Sequence, residues 1–199
     1  MRRRTFDILA SFAGGALVVV LLVAGALLMW GYSFANSNVH NQLAEQQIFF
    51  PTKAQLAHPN GTEITKGMVP YLEPYAGQQV LNGAQAETYA NHFIAVHLSE
   101  LPMNGVYSQL SEASRANPGN VKLAALVQTS FQGTTLRGLL LEAYGFWQFG
   151  QIALWAGIAS FILAGVTLIL VIFGLLHARR TEADLELLGS RDKEATKAA

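Results

Sequence analysis

The chain has 199 residues, of which 51% are hydrophobic and only 13% charged, with a formal net charge of zero and no cysteine. A domain so poor in charge stays dispersed in water with difficulty, which points to a second solvent. Zero net charge gives no field to draw in nucleic acid or an acidic substrate. The missing cysteines exclude disulfides, thiolate metal sites, iron–sulfur clusters and cysteine nucleophiles.

Arg2, Arg3 and Arg4 precede an uncharged stretch from Ile8 to Tyr32 rich in Leu, Val, Ala and Gly. At about 1.5 Å per residue, that stretch is long enough for a hydrocarbon core of about 30 Å. A basic start followed by an apolar run also fits a secretory signal peptide, with Ser33-Phe34-Ala35 as a cleavage site. Signal-peptide cores are far shorter, about 7–15 residues, so a retained transmembrane helix is expected.

Beyond it, Asn36–Phe50 is predicted to continue helical until Pro51 stops it. Residues 51–83 hold Pro51, Pro59, Pro70 and Pro74, four of the six prolines, and read as an irregular surface arm. Asn82 and Gly83 introduce a helix over Ala84–Leu101, with Ala86, Tyr89, Ala90, Phe93, Val96 and His97 on one face and Pro102 at its end. Val106–Ala116 and Val121–Phe131 form a helix pair divided by Asn117-Pro118-Gly119-Asn120, which supplies a stop and a new N-cap.

After Gly133 the pattern is helical almost without interruption. Thr134–Leu154 forms an apolar stalk carrying Leu139, Leu140, Leu141, Tyr144, Phe146, Trp147 and Phe149, which other helices or a partner must cover. The outer domain and the second span are therefore expected to form one packing unit. Ala143–Leu176 is again free of charge, and its lipid-embedded part is expected from Trp155 to Leu176, closed by His177, Arg179 and Arg180. Ala153, Gly157, Ser160 and Ala164 on this helix, with Ala10, Gly14 and Gly25 on the first, offer small faces on which two spans can meet. The charged tail, with Glu182, Asp184 and Glu186 against Arg191, Lys193 and Lys197, reads as a turn or two of surface helix at most.

Basic residues set the orientation. The flanks carry Arg2, Arg3, Arg4, Arg179, Arg180, Arg191, Lys193 and Lys197, eight of the thirteen. Positive charge stays cytoplasmic on insertion, so both termini are expected inside. The expected fold class is all-α: two transmembrane helices with an extracytoplasmic helical domain inserted between them. The parts are a cytoplasmic N-terminus (1–7), transmembrane helix 1 (8–32), the outer domain (33–142, with its irregular arm 51–83), stalk and transmembrane helix 2 (143–176) and a cytoplasmic tail (177–199). The expected location is the plasma membrane.

Candidate chemistry is sparse. His97 and Glu100 stand three apart on one helix, a spacing used by metal ligands, but His92 lies about 140° away from His97 on an ideal helix. Packed or solvated histidines are the expected state, with no metal and no cofactor. Arg137 and Glu142 bracket the start of the stalk and point in different directions. No charge lies within either apolar run, which excludes a proton relay or voltage sensor there. No Asp lies between Asp7 and Asp184, so a Ser–His–Asp triad is impossible in the outer domain. Asn60-Gly61-Thr62 is formally a glycosylation acceptor.

Asn91-His92-Phe93-Ile94-Ala95-Val96-His97-Leu98 and Thr135-Leu136-Arg137-Gly138-Leu139-Leu140-Leu141-Glu142-Ala143-Tyr144 resemble segments of an uncharacterised family of actinobacterial two-span membrane proteins. The resemblance implies location and topology, without activity, cofactor or substrate. The expected role is non-catalytic: the outer domain and stalk engage a protein partner or a second copy, through residues such as Arg137, Glu142, Tyr144, Trp147, His92 and His97. The alternative is an extracytoplasmic ligand-binding or sensor module signalling through the stalk. A metal-dependent enzyme at His97 and Glu100 ranks below both.

Overall fold

The computed structural model describes residues 3–180. The expectations for Arg2 and for the tail beyond residue 180 fall outside them. Among the described residues helix is the only extended regular structure, beside a single isolated antiparallel bridge between Phe49 and Gln79. Two helices are long and apolar enough to cross a membrane: α1 (Arg3–Gln46) and α7 (Val121–Arg180). Between them lie α2 (Lys53–Ala57), α3 (Val69–Leu72), α4 (Gly83–Tyr89), α5 (Ala95–Ser99) and α6 (Tyr107–Ala116). The described residues group into two compact units, one within 3–31 and 152–180 and the other Tyr32–Gln151.

In the first unit α1 and α7 run antiparallel, in contact through small residues. A Cβ on Gly14 would sit 2.7 Å from Val171, one on Gly25 2.9 Å from the Phe161 ring, and one on Gly157 3.3 Å from Leu28. Backbones approach this closely only where side chains are absent, the mode of association available when the surroundings are as apolar as the helices. The expected small faces thus meet at Gly14, Gly25, Gly157 and the buried Ala164, whereas Ala10 is exposed. Phe12 (79%), Val20 (62%), Leu27 (62%) and Phe173 (65%) lie bare on the outer surface. Apolar exposure on that scale suits lipid and not water. Asp7 and His177 pair at 3.9 Å near one end of the unit, and the exposed Trp30 and Trp155 stand toward the other.

The second unit has a core of its own. Val39 and Leu43 of α1 and Leu140 of α7 are buried with Phe50, Leu56, Ile64, Met68, Leu72, Val80, Ala86 and Ala90. Five of these, Leu56, Ile64, Met68, Leu72 and Val80, come from the segment expected to be a surface arm. The segment is irregular in having only short helices, but its apolar residues turn inward. Thr52 caps α2 through a reciprocal pair with Gln55, and Asn60 Oδ1 accepts from the N–H groups of Thr62, Glu63 and Ile64. The sequon asparagine therefore has a structural task, fixing the turn that delivers Ile64.

α1 ends at Gln46, short of Pro51. Gln47 takes a left-handed φ of 52°, and the chain then pairs across: Phe50 N–H donates to Gln78 O (2.9 Å) and Val80 N–H to Ile48 O (2.8 Å). Gln79 Nε2 closes the helix end by donating to Ala44 O at 2.8 Å, satisfying an orphan carbonyl. Nor does α7 begin anew after Gly133. The helix runs straight through it, because Gly133 makes room for Leu98, whose Cδ2 would lie 2.7 Å from an added Cβ. Here glycine serves close packing and does not break the helix.

Leu140 lies at the junction of long and short elements and is wholly buried. Leu140→Ala is expected to lower unfolding stability by about 2–5 kcal/mol, whereas Phe149→Ala, 71% exposed, should change it little. Thermal melts of the detergent-solubilised chain compare the two.

Candidate functional site

Asn82 begins the central helix of the second unit as expected, its Oδ1 accepting from Gln85 N–H at 3.0 Å. Between α4 and α5 the chain then makes a π-helical turn, Ala90–Ile94, which no local sequence pattern announces. Such a turn carries one residue more than an α turn and occurs often at functional sites. It contains Asn91, His92, Phe93 and Ile94.

Asn91 is a link. Its Nδ2 donates to Glu87 Oε1 at 2.7 Å, and its Oδ1 accepts from Arg137 Nη2 at 2.9 Å. Arg137, expected near the foot of the stalk and open to a charge on a neighbouring helix, thus reaches a neutral amide 46 positions away that relays it to a carboxylate. Its Nε is buried with no hydrogen-bond partner. His92 turns a different way and stacks face to face on Tyr71, ring centroids 3.6 Å apart and planes 5° apart.

His97 faces elsewhere. Its Nδ1 lies 2.8 Å from Phe93 O, and its ring sits 4.5 Å from the Phe93 ring. A carbonyl only accepts, so Nδ1 carries the proton. His97 and Glu100 both line a cavity of about 350 Å³ between the central helix and α7. Among the described residues no three His, Asp or Glu side chains gather as a metal-binding group.

The stalk residues divide. Trp147 packs on the N-terminus of α4, where a Cβ on Gly83 would fall 2.5 Å from Trp147 Cβ, and its ring stacks with Tyr144 at 6.3 Å. Glu142 is exposed and lines a groove of about 530 Å³. One wall of the groove is Asn38, Gln42 and Gln46 of α1; the other is Leu139, Phe146 and Phe149 of α7. The structure therefore spreads the six candidates over five places: Arg137 at the π turn, His92 on Tyr71, His97 in the cavity, Glu142 at the groove, and Tyr144 with Trp147 at α4. Asn91, Glu87 and Tyr71 join them from outside the expected set. Nothing in the local pattern marks these three, because the partners that Asn91 and Tyr71 find lie far along the chain.

Tyr89 packs edge-on to Phe50 and against Phe93, and burial raises its hydroxyl above the usual 10.0. The class defined by these observations is an all-helical protein with two helices able to span a membrane and a second helical unit with its own core. Comparison with protein-family models, curated proteins and solved structures finds no match to the chain.

Asn91→Leu removes both links and leaves the Arg137 guanidinium without its acceptor, at an expected cost of about 1–3 kcal/mol by denaturant titration. Tyr89 gives the unit an alkaline limit. Because the folded Tyr89 pKa lies above the unfolded value, the fold binds the proton more tightly. Stability is then complete below pH 10 and falls as pH rises through the folded pKa. Tyr89→Phe should flatten that alkaline limb in melts taken between about pH 9 and 11.

Proposed function

We propose that this chain is a two-span protein of the plasma membrane, both termini cytoplasmic, whose outer helical domain and stalk bind another protein or a second copy of the chain. Orientation rests on the basic residues massed in the two flanks, and insertion on the bare apolar surface of the first unit. One observation carries the binding role. In the second unit Phe149 (71%), Leu139 (52%) and Phe146 (42%) stay exposed beside the amide wall of Asn38, Gln42 and Gln46.

Leu140 is buried, and Leu141 and Trp147 are partly covered, by the core that Leu43, Val80 and the short helices form. This face is not. An apolar row bordered by amides and one carboxylate, Glu142, has the make-up of a protein-contact patch with a polar rim. The role is one of binding, with no reaction assigned.

A photoreactive residue in place of Phe149, irradiated in native membranes, tests the proposal. The expected result is one discrete adduct, of twice the chain mass for self-association or a larger defined mass for a partner. With the photoreactive residue kept at 149, the double change Leu139→Ala with Phe146→Ala should abolish it at unchanged protein level. Adducts with lipid alone, with monomer and nothing else recovered in mild detergent, would count against it. A reporter fused near Tyr75 tests topology separately and should be active only outside the cytoplasm.

A further inference from the structure

The cavity beside His97 is built differently from the groove along the stalk. Phe93 and Ile94 come from the π turn, His97 from α5, Leu101 from the chain just beyond it, and Thr129 from α7. Its volume of about 350 Å³ falls at the small end of ligand sites, about 300–1,000 Å³. An apolar cavity of about 150 Å³ holds benzene, so this one has room for about two fused rings.

The polar groups at this wall share one character. With its Nδ1 proton given to Phe93 O, the neutral form of the His97 ring has its lone pair on Nε2. The Thr129 hydroxyl is committed as donor to Ala125 O at 3.1 Å, which leaves only its oxygen to accept. Glu100, exposed at the rim, also accepts when ionised. A lining of apolar carbon with acceptors alone asks for a hydrophobe that brings its own donor. The carboxylate at the rim disfavours an anion, and the apolar wall disfavours a buried ammonium.

We propose that this cavity binds a small, neutral, ring-bearing hydrophobe whose hydroxyl donates to His97 Nε2, with Phe93 against its rings. The π turn then has a purpose: it sets Phe93 and Ile94 on the cavity wall while Asn91, in the same turn, holds Arg137. The site is independent of the protein-contact face and stands or falls without it.

The full chain in lipid nanodiscs, with ¹⁵N-labelled histidine, provides the test. The probe is 2-naphthol, compared with 2-methoxynaphthalene, which lacks the donor, and with 2-naphthoate. 2-Naphthol should move the His97 Nε2 resonance and leave those of His40 and His58 in place. The methoxy compound should bind about tenfold more weakly, and the naphthoate should not bind. Thr129→Phe, at an exposed helix position, should fill the cavity and abolish the shift. His97→Phe should keep apolar binding, read by probe fluorescence, but lose the preference for naphthol over its methyl ether. A His97 signal unmoved up to the solubility limit of naphthol would overturn the proposal, as would equal affinity for naphthol and its methyl ether or full binding by Thr129→Phe.

Discussion

The second unit depends on one requirement: its short helices must find apolar surface they do not possess. α2, α3, α4 and α5 have five, four, seven and five residues, far below the length at which a helix survives alone in water. Each persists by setting one or two side chains, such as Leu56, Leu72 or Ala86, against Val39, Leu43 and Leu140 of the long helices. The polar details serve the same end. The Thr52–Gln55 box, the Asn60 turn and the Gln79 cap satisfy backbone groups that helix ends and turns leave without a partner of their own.

The first unit obeys the opposite rule. Many of its large apolar side chains lie bare on the outside, and its small residues Gly14, Gly25 and Gly157 face the partner helix, where Val171, Phe161 and Leu28 fill the space they leave. In water this inversion would be ruinous. In hydrocarbon it costs nothing, since association there comes from close backbone packing rather than from escaping the solvent. The two units thus differ in where their apolar surface lies, bare on the first and gathered into a core in the second.

Much of this is legible in the sequence, for identifiable reasons. The long apolar runs, the Asn82 cap, the Pro102 stop and the small faces at Gly14, Gly25 and Gly157 are local or periodic signals, and the structure keeps them. Sequence and structure part where a residue type has two meanings. Proline and glycine over 51–83 suggest a surface arm, yet Ile64, Met68 and Val80 between them are core. Gly133 suggests an interruption and proves to be a seat for Leu98. The sharp turn at Met103, Asn104 and Gly105, all with positive φ, carries an Asn-Gly pair suited to it, but its anchor, Ser130 Oγ donating to Gly105 O at 2.6 Å, lies 25 positions along and beyond any local pattern. Gly105 has no substitute, since a Cβ would lie 2.3 Å from Leu98 O. The link from Arg137 to Asn91 is equally out of reach of any local pattern.

The π turn also bears on how such a chain tolerates changes in length. A wide turn takes up one extra residue, worth about 100° of an α-helix, within itself, so the residues after it keep the phase they would have without it. Removing a single residue between positions 90 and 94 would leave an ordinary helix with His97, Leu98 and Leu101 on the same side of the axis. What would change is the local placement of Asn91 and Phe93. A length change of one residue is thus absorbed at this spot, and its cost falls on the Arg137 link rather than on the footing against α7.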